Sequence, residues 1–387
     1  MIQSLVNRCL RDGDPTRPDV RARCGALAGR VGIAANVFLF VLKLLCGLFT
    51  ASVAMVADAA NNLSDAAGSV VTLIGFKLAG QAADADHPFG HGRMEYISGF
   101  VVASAILLMG FELLKSSVQS LFDPAAVTFS PLVALLLVLA IGVKLMLWQF
   151  NLRLGKSIGS AAMEATAADS LSDCAATGAV LLSSFAGQFT DLPVDAAAGI
   201  LVSLFIFKAG WESLRSTLDP LLGRPMDPEL AKEIDELVLG HEYILGIHDL
   251  VYHDYGPGRA MMSFHAEVPA DGDMLIIHDI IDHIERELKT KHHIETVIHM
   301  DPIVMDERTV ALRDQVTDIV RSIDPELSIH DFRITPGPLH TNLIFDVLVP
   351  YNCPLPADVV RSCLTQEIKA LSDRYYPVIH IDRNFVE

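Results

Sequence analysis

The chain has 387 residues, 51% of them hydrophobic, and a formal net charge of -18 at pH 7. The apolar content is high for a soluble protein and is typical of a chain that lies partly in a membrane. The acidic balance argues against a nucleic-acid partner, because such a partner requires a basic surface.

Six long apolar segments occupy the first part of the chain, after a basic N-terminal segment, residues 1–30, expected in the cytoplasm. Each is long enough to cross a hydrocarbon core of about 30 Å as a helix. We therefore expect an α-helical membrane domain with six transmembrane helices in residues 31–219. The predicted spans are 31–50, 52–76, 97–117, 131–151, 161–185 and 193–212.

The distribution of Lys and Arg predicts the orientation of these spans. The connections 77–96 and 152–160 carry basic residues, whereas 118–130 and 186–192 carry none. Because basic loops stay on the cytoplasmic side, both termini are expected in the cytoplasm. We expect the protein to be integral to the cell (plasma) membrane, with the lipid bilayer as a partner.

A soluble αββαβ pattern follows in residues 220–304. Residues 305–387 repeat it at an offset of 81 or 82 residues. Gly246-Ile-His-Asp-Leu matches Ser328-Ile-His-Asp-Phe, and Val297-Ile-His-Met-Asp matches Val378-Ile-His-Ile-Asp. The sequence therefore predicts two tandem cytoplasmic α/β domains after the membrane part.

Two pairs of polar residues lie inside predicted spans two and five. Asn61 and Asp65 are four residues apart, as are Asp169 and Asp173, so a helix places each pair on one face. A single carboxylate in hydrocarbon costs roughly 3 kcal/mol, which favours a functional reason for three of them. If the two helices face each other, three carboxylates and one amide oxygen form a site for a divalent cation.

The chemistry of this predicted site favours a hard ion and an exchange with protons. Oxygen ligands favour Mn²⁺, whereas imidazole suits Zn²⁺, and the six predicted spans contain no histidine. Fe²⁺ and Zn²⁺ are alternatives with the same mechanism. Because no basic residue lies nearby in sequence, the carboxylates would repel one another without a cation or protons. They can therefore take up protons when the metal ion leaves.

Other charged residues lie inside or near the spans, among them Asp58, Lys43, Glu112 and Lys144. Asp58 is roughly 10 Å from Asp65 along the helix, and it either lines an exit path or bonds a neighbouring helix. Lys43 and Lys144 either extend towards the membrane surface or form internal ion pairs.

Two groups of His and Asp outside the spans have spacings suited to metal binding. The first lies in the connection 77–96 and consists of Asp84, His87 and His91. A hydrogen-bonded loop is the alternative. The second lies on strands of the first αββαβ domain and consists of His248, His265, His299 and Asp301. Here ordinary surface histidines are the alternative, and the second copy has His330, Asp346, His380 and Asp382 at the corresponding positions.

These features together resemble the cation diffusion facilitator family over roughly residues 12–304. The resemblance is carried by the two four-residue-spaced pairs, by Asp84-Ala-Asp-His-Pro-Phe-Gly-His-Gly, and by Gly246-Ile-His-Asp and Ile298-His-Met-Asp-Pro. It implies a homodimeric antiporter that exports a divalent metal ion from the cytoplasm in exchange for protons. It also implies a transport site, a loop site and a cytoplasmic-domain site on the residues named above. Arg93 and Asp219 are the implied pair that locks two protomers together at the membrane surface.

Two features depart from the usual family pattern. Asn61 and Asp169 resemble the manganese subgroup, and the second αββαβ copy is extra to the usual layout. An added dimer contact and a second metal sensor both fit that copy. A metal-conducting channel or a sensor is a different class of function. The sequence contains no Walker A motif, nucleophile elbow or HExxH motif, so we expect a secondary transporter without a cofactor and not an enzyme.

Overall fold

The computed structural model of the protein describes residues 6, 15, 17–49, 53–122, 131–186, 194–350 and 353–383. The chain divides into two compact units. One takes Met1–Arg224 with the short segment Asp254–Arg259, and the other takes Pro225–His253 with Ala260–Glu387. Most of the predicted segment 1–30 before residue 17, and the connections 123–130 and 187–193, lie outside the described residues.

Within the described residues, the first unit contains six long helices. They are α1 (Pro18–Phe49), α2 (Val53–Ala79), α3 (Met94–Phe122), α4 (Pro131–Ile158), α5 (Ala161–Ala186) and α6 (Val194–Leu222). By length and composition, α1, α3, α4 and α6 can cross a membrane. Helices α2 and α5 carry the paired polar residues, and charged side chains lower the apolarity of a segment. Helix α1 begins well before the predicted span 31–50.

Helices α2 and α5 run antiparallel and meet along their polar faces. Thr72 Oγ1 of α2 lies 3.3 Å from Thr166 Oγ1 of α5. Two turns away, Asp65 and Asp173 both contact Lys144 of α4. Since these aspartates lie seven residues from the threonines in opposite directions along the chain, the helices run in opposite directions. This packing brings the two predicted polar pairs towards each other.

A glycine allows three helices of the first unit to approach closely. A Cβ atom at Gly99 of α3 would lie 2.7 Å from Thr217 Cγ2 of α6 and 2.8 Å from Ala162 Cα of α5. Small residues permit such contacts between membrane helices. A larger side chain at position 99 therefore requires α3 to move away from α5 and α6.

A buried ion pair joins α1 to α3 beside the α4–α5 turn. Arg21 Nη2 lies 2.7 Å from Glu95 Oε1, and the two side chains are 6% and 2% exposed. Ser160 Oγ donates to the same carboxylate oxygen at 2.6 Å, and Arg21 also donates to the carbonyl oxygen of Ile158. The charge-assisted hydrogen bonds therefore hold three elements of the first unit together.

Replacing Glu95 with alanine is expected to destabilise the protein by about 3–5 kcal/mol, because it leaves the Arg21 guanidinium buried without its counter-ion. Thermal unfolding of the purified chain in detergent measures this loss as a lower Tm. The matched control is Arg17→Ala, since the Arg17–Asp19 pair is more than half exposed and contributes at most about 1 kcal/mol. Equal Tm values for Glu95→Ala and Arg17→Ala would contradict the structural role of the buried pair.

The second unit contains two consecutive αββαβ repeats. The first consists of α7 (Pro228–Leu239), β1 (Gly246–Asp254), β2 (Ala260–Pro269), α8 (Met274–His292) and β3 (Ile294–Ile303). The second consists of α9 (Glu307–Ile323), β4 (Ser328–Pro336), β5 (Thr341–Val349), α10 (Ala357–Leu371) and β6 (Tyr375–Arg383). The order of elements is the one that the sequence repeat predicts.

Aspartate caps specify the helix starts in both repeats. The side chains of Asp227, Asp273 and Asp306 accept backbone N–H groups in the first turns of α7, α8 and α9. Pro228 follows the first cap at a position where its missing N–H costs little. The caps thus fix where these three helices begin.

Each repeat has its own three-stranded sheet, in the orders β1-β2-β3 and β4-β5-β6. The last two strands of each sheet are parallel, because the helix between them returns the chain to the same end of the sheet. Burial alternates strictly along β5, as one covered face requires. Phe264 and Phe345 are fully buried in the separate cores of the two repeats.

One aspartate in each repeat has a left-handed backbone conformation. Asp249 in β1 has φ 52°, and Asp331 in β4 has φ 50°. Aspartate tolerates this conformation better than most residues. Such an irregularity lets adjacent side chains of a strand point to the same side instead of alternating. The left-handed aspartate therefore recurs in the second repeat together with the Ile-His-Asp motif that contains it.

Candidate metal centre

Three charged side chains meet between α2, α4 and α5. Lys144 Nζ lies 2.7 Å from Asp65 Oδ2 and also contacts Asp173 Oδ2. The three side chains are between 5% and 9% exposed. One ammonium group therefore bridges two buried carboxylates from different helices.

Asp169 completes the set of carboxylates predicted for this site. It lies one turn before Asp173 on α5, is partly buried, and is within electrostatic range of Asp65, Asp173 and Lys144. Three carboxylates and one ammonium leave an excess of negative charge in a region of low dielectric. Such an excess attracts a cation strongly.

The amide that reaches these carboxylates is that of Asn62. Its Nδ2 atom donates to Asp65 Oδ2 at 3.3 Å, and the residue is 2% exposed. Its Oδ1 atom is buried without a hydrogen-bond partner in the described part of the chain. Asn61, the predicted ligand, is exposed in the single chain. Spacing alone does not separate the two, since positions three and four residues before Asp65 both lie near its face of the helix.

Lys144 is the residue that sequence reasoning did not place at this site. Sequence neighbours alone suggested carboxylates without a basic partner, and the structure corrects this, because α4 brings Lys144 against Asp65 and Asp173. The sequence did indicate that Lys144 lies inside a predicted span, where an internal ion pair was one of the two expected arrangements. The ammonium group occupies the place between the carboxylates where a bound cation would lie.

Asp58 pairs with the second buried lysine of the helical unit. Lys43 Nζ of α1 lies 2.8 Å from Asp58 Oδ2, and the Lys43 side chain is 4% exposed. This is the interhelical bond that the sequence left as an alternative to an exit path. The pair joins α1 to α2 two turns from Asp65.

The predicted loop residues Asp84, His87 and His91 come together. His87 Nδ1 and His91 Nε2 lie 3.5 and 3.4 Å from the two carboxylate oxygens of Asp84. Asp84 Oδ1 accepts the backbone N–H of His87 at 2.7 Å, and this hydrogen bond lowers the pKa of Asp84. The group therefore has the donor atoms of a metal site together with the hydrogen bonds of an ordered loop.

Three of the four residues predicted in the first αββαβ repeat are histidines, and they surround the fourth, Asp301. Its Oδ2 atom lies 2.8 Å from His265 Nδ1 and 3.2 Å from His248 Nε2, and its Oδ1 atom lies 3.4 Å from His299 Nε2. The parallel register of β2 and β3 pairs His265 with His299. Three imidazoles and one carboxylate are a donor set for a transition-metal ion.

Charges on β1 and on the second sheet influence one another. The His248 ring, followed by that of His330, holds the pKa of Asp249 well below its usual range. Burial opposes the charged form of His248, but the adjacent Asp249 carboxylate raises the His248 pKa overall. Burial, together with the nearby Asp382, raises the pKa of Asp346. The titratable groups of the two repeats therefore form one electrostatic cluster.

Arg93 and Asp219 have other partners within the chain. Arg93 donates to the carbonyl oxygen of Asp254 at 2.9 and 2.6 Å, and its guanidinium lies 4.6 Å from the centre of the Tyr255 ring. Asp219 lies 3.4 Å from Arg215, one turn earlier on α6. The pair is predicted between two protomers, so the contacts of a single chain do not test it.

A further group of ligand type, which the sequence did not predict, includes two residues of α8. His241, His283 and Glu287 place ligand atoms within 4.8 Å of one another. His241 follows α7 and the other two lie on α8, so the fold and not their sequence spacing brings them together.

Comparison with known families gives two consecutive matches. Residues 30–222 match the model of a cation efflux transmembrane domain, and residues 226–303 match that of the cytoplasmic domain of a cation efflux protein. Neither match extends into the second αββαβ repeat.

Individual relatives match the chain over a similar range. The manganese efflux system protein MneS of Bacillus subtilis is 30% identical over 286 residues, which cover 73% of this chain and 96% of that protein. An uncharacterized transporter of Methanocaldococcus jannaschii is 28% identical over 272 residues, or 70% and 96% of the two chains. The cation-efflux pump FieF of Shewanella oneidensis is 26% identical over 284 residues, or 73% and 96%. The similarity spans nearly the whole length of each relative.

Proposed function

Because this chain belongs to the cation efflux family, the cation diffusion facilitators, we propose that it exports Mn²⁺ from the cytoplasm in exchange for protons. Membership of the family makes it an integral membrane protein that transports cations, not a catalytic enzyme. The choice of Mn²⁺ and the exchange with protons go beyond what family membership shows.

The observation that carries the proposal is the convergence of Asp65, Asp169 and Asp173 in one buried place. Carboxylate oxygens suit Mn²⁺ better than imidazole-preferring ions such as Zn²⁺. Two relatives from Bacillus subtilis are named manganese efflux system proteins, which supports the same ion. Fe²⁺ and Zn²⁺ are the competing substrates that an assay has to compare.

The exchange follows from the charge of the site. Mn²⁺ enters from the cytoplasm, displaces Lys144 from Asp65 and Asp173, and binds the carboxylates. It leaves on the other side as protons and the lysine take its place, because uncompensated carboxylates in a low dielectric are costly. Rocking of the helices around the fixed site gives alternating access.

An amide oxygen of α2 is the fourth ligand in this proposal. Asn61 has the predicted four-residue spacing to Asp65, and Asn62 has the buried, unpartnered oxygen beside that carboxylate. Mn²⁺ transport is measured for Asn61→Ala and for Asn62→Ala. The ligand is the asparagine whose replacement causes the larger loss of transport.

The membrane topology, the dimer and the accessory metal sites belong to the same proposal. Six helices in residues 31–219 span the cell membrane with both termini in the cytoplasm, followed by cytoplasmic domains at 220–304 and 305–387. The protein acts as a homodimer, in which Arg93 and Asp219 can pair between protomers. The loop group around Asp84 and the group around Asp301 are accessory metal sites.

A metal-by-metal transport assay tests the proposed function. The purified chain is reconstituted into vesicles, and uptake of Mn²⁺, Fe²⁺ and Zn²⁺ is measured separately with and without an acidic lumen. We expect Mn²⁺ to be taken up fastest and the acidic lumen to accelerate its entry, since protons leave as the metal enters. Faster Zn²⁺ or Fe²⁺ uptake would contradict the choice of ion, and rates that ignore the pH gradient would contradict the exchange.

A further inference from the structure

Four ligand residues meet where the two αββαβ repeats contact each other, and the proposed transport cycle does not use them. They are Asp249 of β1, His330 of β4, Asp346 of β5 and Asp382 of β6, and their ligand atoms all lie within 4.8 Å of one another. We propose that these residues form a divalent-metal centre that draws one ligand from the first repeat and three from the second, so that a bound ion clamps the repeats together. The inference depends on the proposed function only for Mn²⁺ as the probe.

The distances in this group resemble a metal shell more than a hydrogen-bonded cluster. His330 Nε2 lies 3.5 Å from Asp249 Oδ1, 3.6 Å from Asp382 Oδ2 and 3.9 Å from Asp346 Oδ2. These separations are too long for good hydrogen bonds. Ligand atoms in a tetrahedral shell with bonds of about 2.1 Å are about 3.4 Å apart. The three distances from His330 Nε2 are therefore within about half an ångström of those in a metal shell.

The imidazole at the centre of the group lacks the partner that its burial requires. The His330 side chain is 10% exposed, and its Nε2 atom has no hydrogen-bond partner among the described residues. A buried polar atom without a partner costs about 1–3 kcal/mol. A divalent ion bound to Nε2 removes this cost and also offsets two of the three negative charges around it.

A cavity gives an ion access to this group. It has a volume of about 320 Å³ and is lined by residues of both repeats, among them Asp249, Leu250, His330 and Leu348. Arg383 also lines the cavity, but its Nη1 atom donates to the carbonyl oxygen of Pro350 at 2.9 Å. A hydrated divalent ion therefore has room to enter between the two sheets.

The two repeats are not equivalent at this contact. Asp249 lies between His248 and His330, at 3.3 and 3.5 Å from their ring nitrogens. Its counterpart Asp331 has the same left-handed backbone but pairs with Arg333 at 2.5 Å. Asp249 thus contributes a ligand to the proposed centre. Asp331, at the equivalent position of the second repeat, does not, and serves as the control.

The donor set also differs from that of the neighbouring group around Asp301. The centre has one imidazole and three carboxylates, whereas that group has three imidazoles and one carboxylate. Oxygen-rich sites favour ions such as Mn²⁺, and imidazole-rich sites suit Zn²⁺. Two adjacent centres with different preferences can therefore be loaded separately.

The number of Mn²⁺ ions bound by the full chain in lipid nanodiscs tests the proposal. Equilibrium dialysis followed by elemental analysis is applied to the wild-type chain, Asp249→Asn, Asp382→Asn and the control Asp331→Asn. Both ligand variants are expected to lose about one equivalent of Mn²⁺ per chain at low micromolar metal, because each removes a donor from the shell. Asp331→Asn is expected to bind as many ions as the wild type.

Hydrogen exchange on the same samples tests the clamp. Mn²⁺ should slow exchange in both β1 and β4 of the wild type and of Asp331→Asn. In Asp249→Asn the Mn²⁺-dependent protection of β4 should disappear, although the substituted residue is in the other repeat. Undiminished Mn²⁺ binding by Asp249→Asn and Asp382→Asn, or an equal loss in Asp331→Asn, would overturn the proposal. These readouts require no transport, so a failure of proton-coupled transport in the vesicle assay would leave them intact.

Discussion

Asp173→Asn is expected to reduce Mn²⁺ transport at least about 100-fold, because loss of residues that merely support metal ligands already costs 10–100-fold. The Asp173 carboxylate is 5% exposed and contacts Lys144. Asparagine keeps its size but removes the charge that binds both the metal ion and the exchanged proton. Uptake of Mn²⁺ by reconstituted vesicles measures the effect.

The matched control for this variant is Glu164→Gln on the same helix. Glu164 is exposed and lies in the first turn of α5, more than two turns from Asp173. The same change of charge there should leave uptake close to wild type. If Asp173→Asn and Glu164→Gln transported equally well, the assignment of the transport site would be wrong.

Lys144→Met is expected to tighten Mn²⁺ binding by about tenfold or more, equivalent to at least about 1.4 kcal/mol. The metal ion no longer has to displace an ammonium group from Asp65 and Asp173. Maximal transport should fall at the same time, because no tethered cation assists release of the ion. Binding measured by calorimetry and uptake at saturating Mn²⁺ separate the two effects.

Lys43→Met is the control for this prediction. Lys43 is also buried and paired with an aspartate, but its partner is Asp58 and not a predicted ligand. Its replacement should leave the affinity for Mn²⁺ within about twofold, since the ion and this lysine do not compete for one place. Weaker binding in Lys144→Met than in Lys43→Met would show that Lys144 supports the site and does not compete with the metal.

The carboxylates of the site could be predicted because helical periodicity relates residues that are close in sequence. The four-residue spacing of Asp169 and Asp173 places them on one face whatever surrounds the helix. Lys144 could not be placed in the same way, since only the packing of α4 against α2 and α5 brings it to Asp65. The choice between Asn61 and Asn62 likewise depends on the rotation of α2 against its neighbours.

The αββαβ repeats could be predicted because matching strand motifs recur at a constant offset. The strand register then explains the group around Asp301, since His265 and His299 are neighbours on parallel strands. The contact between Asp249 and His330 depends instead on how the two repeats pack against each other. Side chains that meet across such a contact leave no spacing pattern in the sequence.

The most direct test of the account is to follow Mn²⁺ entry and lumenal pH in the same vesicles, with the membrane potential held at zero. Vesicles containing the wild-type chain and a trapped pH dye receive external Mn²⁺ without a starting pH gradient. If Mn²⁺ exchanges for protons, the lumen becomes alkaline as Mn²⁺ enters, and both signals disappear in Asp173→Asn. Mn²⁺ entry without a change in lumenal pH would contradict proton exchange and indicate a channel.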